Sequence, residues 1–322
     1  MRNRQGISAE VMTYGATLMA LRTPDRHRRF ESIVLGFDAL APYLAGTPYF
    51  GATIGRYANR IAGARFELDE REHKLAVNDG RNHLHGGAHG FDKVVWDARP
   101  FTDAEGAGVA FSHLSADGDE GYPGDLAVEA TYRLTEDNRL IIDYRATTTK
   151  PTHVNLTHHS YFNLSGDASR EVTDHELIIA ADRFTPVDAE LIPTGDLRNV
   201  TGSPFDFRTP HAIGARIEEN DAQLRLAGGY DHNFVLNKPA PDALSRAAIV
   251  SEPESGRAME VWTTEPGLQF YSGNSLAAPS KRRSGLCLEP QHFPNTPNEP
   301  RFPSTILRPG EEYRSRTEFR FD

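Results

Sequence analysis

Apolar and polar residues alternate along much of this chain, most regularly in two segments on either side of residues 135–138. Segments 128–134 and 140–146 each put every second, apolar side chain on one face. Alternation with a period of two is typical of a β-strand with one buried face. The intervening TEDN favours a turn, so the two segments predict a hairpin. Its predicted core residues are Val128, Ala130, Tyr132, Leu134, Leu140, Ile142, Tyr144 and Ala146.

Turn-forming residues interrupt the rest of the chain. The 27 glycines and 21 prolines disfavour long helices. One helix start is predicted, with Thr209 as N-cap and Pro210 at the first helical position before Ile213 and Ile217. Neither a repeat nor a linker divides the sequence, so we expect a single all-β domain over residues 1–322, built from two large packed antiparallel sheets with few short helices. Further short strands are predicted at 33–36, 73–77, 176–181, 247–251, 258–263 and 267–271.

Charge and cysteine content restrict the partners and the compartment. The formal charge of −10, from 35 basic and 45 acidic residues, argues against a nucleic acid or an anionic membrane as partner. No apolar stretch approaches the ~18 residues of a membrane helix. The single cysteine, Cys287, excludes an internal disulfide and suits a reducing compartment, so we expect a cytoplasmic protein.

Two adjacent histidines, His158 and His159, lie in the segment THVNLTHHSYFNLSG, which has the pattern of a further strand. Neighbouring strand residues point to opposite faces. Only one imidazole can therefore face a cleft, and the alternation alone leaves open which of the two does so.

Glu289 is a carboxylate that lies among apolar residues in the sequence. Leu286 and Leu288 are expected to face the core, which puts Cys287 and Glu289 on the other face. Apolar neighbours would raise the pKa of this carboxyl, although a solvated strand glutamate fits the pattern equally well. Nothing nearby activates Cys287 as a nucleophile. The strand is predicted to end at Pro290, because proline cannot donate to a ladder.

The other polar motifs admit plain structural interpretations as well. His85 precedes two glycines and fits a surface or capping position, and Asp231 with Asn233 fits a polar turn. His83 and His85 are the one pair spaced to chelate a metal from a strand, and HExxH is absent, so no metal site is predicted. Phosphate loops and dinucleotide fingerprints are also absent, which argues against a nucleotide cofactor.

The combination of side chains in these motifs favours a carbohydrate ligand. Arginine, asparagine, aspartate and glutamine can form paired hydrogen bonds with vicinal hydroxyls. Aromatic rings can cover the C–H face of a sugar, and a histidine with a carboxylate can exchange protons with it.

Seven motifs occur in an order and spacing that resembles the aldose 1-epimerase (galactose mutarotase) family. The resemblance covers nearly the whole chain. It implies a galactose mutarotase-like β-supersandwich, no cofactor, and interconversion of the α and β anomers of aldoses such as galactose and glucose. The motifs are GRYANRI, LHGG…GFDKVVW, DGDEGYPG, NLTHHSYFNL, GGYDHNFVL, GLQFYSGN and LCLEPQHFPNTPN.

The resemblance also implies roles for individual residues. Glu289 corresponds to the general base that removes the O1 proton, and His159 to the general acid that protonates the ring oxygen. His85 corresponds to the family's other active-site histidine, so His159 rather than His158 is expected to face the cleft. The implied sugar-binding residues are Asn59, Arg60, Asp231 and Gln269.

Two other functions stay open at this point. An epimerase acting on hexose 6-phosphates would need a basic phosphate clamp, and no additional Arg/Lys cluster accompanies the motifs. A non-catalytic sugar-binding protein would need neither Glu289 nor His159. The preferred aldose, and whether the protein is a monomer or a homodimer, do not follow from the sequence.

Overall fold

Strands dominate the computed structural model, which describes residues 1–321. The two α-helices in this part of the chain are short, and none of its helices is long and apolar enough to cross a membrane. The helices are α1 (Leu40–Leu44) and α2 (Ala222–Ala227), with 3₁₀ turns at Ala62–Ala64, Phe91–Lys93, Asp119–Gly121, Val172–Asp174, Ile213–Ala215 and Thr296–Asn298. The strands are β1 (Ser8–Met12), β2 (Thr17–Pro24), β3 (Phe30–Ser32), β4 (Thr53–Ile54), β5 (Arg60–Ile61), β6 (Arg65–Leu68), β7 (Arg71–Lys74), β8 (His83–Leu84), β9 (Asp97–Thr102), β10 (Gly106–Ser115), β11 (Leu126–Thr135), β12 (Arg139–Thr148), β13 (Thr152–His153), β14 (Thr157–His158), β15 (Glu176–Ile179), β16 (Ala181–Phe184), β17 (Arg198–Asn199), β18 (His211–Ala212), β19 (Asp231–Leu236), β20 (Ser245–Ser251), β21 (Ala258–Thr263), β22 (Gly267–Tyr271), β23 (Cys287–Gln291), β24 (Ile306–Leu307) and β25 (Tyr313–Phe321).

Two antiparallel sheets form the body of the protein. The larger has nine strands in the order β18-β15-β20-β21-β25-β12-β11-β10-β9, and the smaller has five in the order β17-β16-β19-β22-β23. The main hydrophobic cluster contains side chains of both, including Tyr132 and Phe319 from the larger sheet and Phe270 and Leu288 from the smaller. The predicted all-β sandwich is therefore confirmed.

The predicted hairpin is the centre of the larger sheet. Strands β11 and β12 pair antiparallel, with Leu134 opposite Leu140 across the turn. The apolar side chains predicted for its inner face are buried. Strands β21 and β22 have the predicted bounds, and three other predicted segments overlap β7, β15 with β16, and β20.

Three predicted elements are wrong. The segment 152–166 is not one strand, since it contains only the two-residue strands β13 and β14. The segment 33–36 is not a strand: Val34 forms an isolated bridge with Phe162, and β3 already ends at Ser32. The helix predicted after Thr209 is also absent, because β18 pairs with β15 instead and is followed by one 3₁₀ turn. Pairing with a neighbouring strand thus outweighs the local helix signal, while Ile213 remains buried.

The strand that carries Glu289 does not end at Pro290, contrary to the prediction. Strand β23 continues to Gln291, and Pro290 stays in register opposite Leu268. Because β23 is an edge strand of the smaller sheet, proline is tolerated within it without loss of a ladder hydrogen bond. The Pro290 carbonyl instead accepts a hydrogen bond from Thr157 Oγ1 at 2.7 Å.

Candidate active site

The smaller sheet carries a row of polar side chains across three strands. Asn233 on β19 is paired with Gln269 on β22, and Gln269 is paired with Glu289 on β23. Residues directly opposite each other project from the same face of a sheet. Their strand neighbours Phe270 and Leu288 belong to the main hydrophobic cluster, so the polar row lies on the opposite face. All three polar side chains are nonetheless buried.

His159 joins this row from a neighbouring segment. Its Nε2 lies 3.8 Å from Glu289 Oε2, and both side chains are buried. The imidazole contacts Tyr49 and Tyr161, with ring centroids 5.5 Å and 5.1 Å away. The arrangement brings a carboxylate and an imidazole close enough to act on two oxygens bonded to the same carbon.

His158 faces the opposite way, into the core. Its Nε2 lies 2.6 Å from Ser160 Oγ and its Nδ1 lies 3.1 Å from Tyr132 OH. Burial lowers the pKa of His158 to about 3, so this ring is neutral at ordinary pH. His158 is therefore a hydrogen-bonded core residue, and its ring points away from Glu289.

His85 reaches the site from a turn with unusual backbone geometry. Asn59 and His85 both adopt left-handed conformations, with φ of 64° and 52°. Each donates its backbone N–H to the other residue, Asn59 to His85 Nδ1 and His85 to the Asn59 carbonyl, both at 3.1 Å. A Cβ on Gly86 would lie 1.8 Å from the Gly55 carbonyl oxygen, so only glycine fits there. Such conformations cost ~1–3 kcal/mol each and are concentrated at functional sites.

His85 completes a three-residue cluster with His159 and Glu289. One ring nitrogen from each histidine and one carboxylate oxygen lie within 4.8 Å of one another. Because His85 Nδ1 accepts the Asn59 N–H, the neutral ring carries its hydrogen on Nε2. A metal would need a bare nitrogen there. The cluster is thus better suited to hydrogen bonding with a ligand oxygen than to metal coordination.

Charged and amide side chains predicted to bind sugar are fixed by partners. Arg60 Nε donates to Asp79 Oδ2 at 2.7 Å, and Gln269 Nε2 donates to Asp231 Oδ1 at 2.6 Å. Arg60 counteracts the effect of burial on the pKa of both Asp231 and Glu289, so its charge acts on this site. The structure thereby brings the predicted binding residues around the polar row.

Burial shifts the proton affinities of the acid–base candidates in opposite directions. It raises the pKa of Glu289 well above its ordinary value, and Asp231 adds to this effect. It lowers the pKa of His159 to about 4. The pKa of His85 is well below its usual range, mainly through burial and secondarily through His159. Above about pH 4 the ring of His159 is therefore neutral, and the one exchangeable proton of the pair resides on the carboxyl of Glu289 until the pH exceeds its raised pKa.

Two residues near the site, Tyr49 and Gln291, were not predicted from the sequence. The ring of Tyr49 lies 4.6 Å from that of His85, and burial raises the pKa of Tyr49 to about 12. Gln291 has two buried amide atoms without a hydrogen-bond partner among residues 1–321. Gln291 follows Glu289 by two positions, so strand alternation could have placed it on the same face. Tyr49 lies in a loop and has no comparable signal.

Comparison with known proteins identifies the family. A sequence profile described as aldose 1-epimerase matches residues 1–320. The chain belongs to the aldose 1-epimerase family. Among its curated relatives, galactose mutarotase from Sus scrofa is 46% identical, over 98% of this chain and 91% of its own length. Aldose 1-epimerase from Escherichia coli K12 is 42% identical, over 100% and 94%. The predicted resemblance is confirmed.

Solved structures of aldose 1-epimerase relatives have the same fold. An aldose epimerase homologue from C. elegans superposes with a TM-score of 0.89 at 31% identity, covering 100% of this chain and 97% of that one. Galactose 1-epimerase from Lactobacillus acidophilus superposes with a TM-score of 0.88, also at 31% identity, covering 100% and 92%. The supersandwich expected from the motifs is therefore the fold of this aldose 1-epimerase family member.

Proposed function

We propose that this protein is an aldose 1-epimerase that interconverts the α and β anomers of aldohexoses such as galactose and glucose. The carrying observation is the buried pair of His159 Nε2 and Glu289 Oε2, 3.8 Å apart. Ring opening takes a proton from O1 and delivers one to O5, and both oxygens are bonded to C1. A base and an acid serving them must therefore lie close together, as these two groups do.

The reaction follows from the proton inventory of the pair. The proton of the pair first passes from the carboxyl of Glu289 to Nε2 of His159, which leaves a carboxylate and an imidazolium. Glu289 then accepts the O1 proton while C1–O5 breaks, C1=O forms and His159 Nε2 protonates O5. Rotation about C1–C2 exposes the other face of the aldehyde. Closure then reverses both transfers, so the pair ends with the same single proton. General acid–base groups of this kind typically contribute 10²–10⁴-fold each.

The remaining predicted residues act by holding the sugar. His85 carries its hydrogen on Nε2 and donates it to an oxygen beside C1, since its other nitrogen is occupied by Asn59. Asn59, Arg60, Asp231 and Gln269 bind the other hydroxyls, so that only C1 rearranges. Arg60 and Asp231 form charge-assisted hydrogen bonds, which are stronger than neutral ones.

The proposal is tested by exchange NMR on the two anomeric protons of galactose and of glucose. Acceleration of anomer exchange by the protein, above the rate in buffer, is the expected result. Binding of galactose in calorimetry without acceleration would instead mean a sugar-binding protein. If the protein accelerated anomer exchange only for hexose 6-phosphates, its substrates would be sugar phosphates rather than free aldohexoses.

We further infer that residues 1–322 act as one cytoplasmic domain, as a monomer or homodimer. The main hydrophobic cluster includes Ile7 and Phe321, near opposite ends of the chain. The single cysteine, Cys287, is free and buried, which fits a reducing compartment. The net charge of −10 gives no support to a nucleic-acid partner.

Arg60→Ala and Asp231→Ala are each expected to raise KM and to lower kcat/KM by about 10- to 100-fold. Each removes hydrogen bonds to a charged group, worth ~1.5–3 kcal/mol. Steady-state kinetics with galactose measures the effect. Arg81→Ala is the matched control, because Arg81 forms an exposed ion pair with Glu190 outside the polar row. Parent kinetics in both test variants would contradict the placement of the sugar.

The pH dependence of kcat/KM should have an acid limb near pH 4. Burial lowers the pKa of His159 to about 4, so the ring stays neutral until the solution is that acidic. Below this pH both members of the pair are protonated and no base remains, so activity falls as pH decreases. The measurement is kcat/KM against pH, after subtraction of the rate in buffer and with circular dichroism at each pH. A limb at ~6.5, the ordinary pKa of histidine, would contradict the assignment.

A further inference from the structure

The ring of His159 has a second contact, on the side away from Glu289. Its Nδ1 lies 3.6 Å from Cys287 Sγ, within hydrogen-bond distance for sulfur, and both residues are buried. Cys287 is two residues before Glu289 on β23, and alternation puts both on the polar face. One strand therefore contacts both nitrogens of the imidazole, through a carboxylate at Nε2 and a thiol at Nδ1.

The position of the hydrogen on neutral His159 decides what the ring can do. A neutral imidazole carries one hydrogen, on either nitrogen, and the partner of the other nitrogen selects between the two forms. A hydrogen on Nε2 points toward Glu289 and the sugar. A hydrogen on Nδ1 leaves the reacting nitrogen bare. Nε2 can protonate O5 only when it carries a hydrogen in addition to the one on Nδ1, and after that transfer the ring is left in this second form.

Cys287 offers a partner for both forms. Burial raises the pKa of Cys287 well above its ordinary value, so sulfur keeps its hydrogen and is not a nucleophile. The thiol can donate S–H to a bare Nδ1, and its lone pairs can accept N–H when Nδ1 is protonated. Other groups near Cys287 are Tyr161 and Asp231.

We propose that Cys287 is a positioning residue that controls the tautomer of His159. In the resting protein the sulfur accepts the hydrogen of neutral His159 from Nδ1, so Nε2 is bare toward the protonated carboxyl of Glu289. The carboxyl proton passes to Nε2 before ring opening, and Nε2 then gives it to O5 while the sulfur continues to accept from Nδ1. This proposal rests on the proposed function. In it Cys287 does not contact the sugar and affects the reaction only through His159.

The test uses Cys287→Ala, which removes both capacities, and Cys287→Ser, which restores a donor and acceptor. Two-bond ¹⁵N–¹H correlation spectra of ¹⁵N-histidine protein report the hydrogen position on His159, assigned by the signals lost in His159→Asn. The parent is expected to have Nδ1 protonated and Nε2 bare. In Cys287→Ala both nitrogen shifts should move toward a mixture of tautomers. Its kcat should fall about fivefold to tenfold with KM little changed, as for loss of one hydrogen bond.

Rescue and a matched control separate positioning from general damage to the fold. Cys287→Ser should return both the nitrogen shifts and kcat toward the parent values. Ser160→Ala deletes the equivalent partner of His158 on the opposite face, and should leave the His159 signals and kcat unchanged.

Two results would overturn the proposal. One is a parent spectrum with Nε2 protonated and Nδ1 bare, and the other is unchanged His159 shifts and kcat in Cys287→Ala. The spectra decide the role of Cys287 without any turnover. A parent protein that fails to accelerate anomer exchange would therefore count against the proposed function alone.

Discussion

Glu289→Gln is expected to lower kcat for galactose anomer exchange by at least about 100-fold, the lower range of a general base contribution. Glutamine has nearly the same shape and can still hydrogen-bond, but it cannot accept the O1 proton. Galactose affinity should change little, because one neutral hydrogen bond contributes only ~1 kcal/mol net. Exchange NMR gives the rate and calorimetry gives the affinity.

The control for this substitution is Glu260→Gln. Glu260 lies on β21 in the larger sheet and pairs with Arg246. It undergoes the same chemical change away from the polar row and should retain the parent rate. A Glu289→Gln protein that turns over near the parent rate would rule out Glu289 as the base.

His159→Asn is expected to reduce kcat by about 10²–10⁴-fold, since it removes the group that protonates O5. Asparagine keeps a hydrogen-bonding amide in the site but has no proton to transfer at accessible pH. The loss should appear in kcat more than in KM, because the interaction it removes belongs to the transition state.

His158→Asn is the comparison that the sequence itself provides. His158 faces the core and contacts Ser160 and Tyr132, so its replacement should leave kcat near the parent value. Its free energy of unfolding should instead fall by about 1–3 kcal/mol, because buried hydrogen bonds are disrupted. Equal losses of kcat in the two variants would contradict the opposite orientations of the two rings.

Strand periodicity was sufficient to predict much of the framework of the site. The β11–β12 hairpin, the bounds of β22 and the outward position of Glu289 all depend on which side chains alternate, and that information is local. The same rule requires His158 and His159 to diverge, although only the family resemblance selected His159. The hydrophobic pattern thus predicts which side chains share one face of a strand, and the motifs predict which of the two faces carries the active site.

Long-range contacts account for what the pattern did not predict. Pairing of β18 with β15 replaced the helix expected after Thr209. The edge position of β23 allowed a strand to continue through Pro290. Tyr49 reaches His85 from a loop whose path is fixed by tertiary structure. None of these depends on neighbouring residues alone.

The reciprocal bonding of Asn59 with His85 has a consequence for how the protein becomes active during folding. The turn they form must meet Glu289, more than 200 residues further along the chain. Closing such distant contacts slows folding, and all-β topologies rich in them fold more slowly than helical proteins. Catalytic competence therefore requires a contact between two segments that are far apart in the sequence. The recovery of anomer exchange during refolding would report completion of the whole sandwich rather than of any local element.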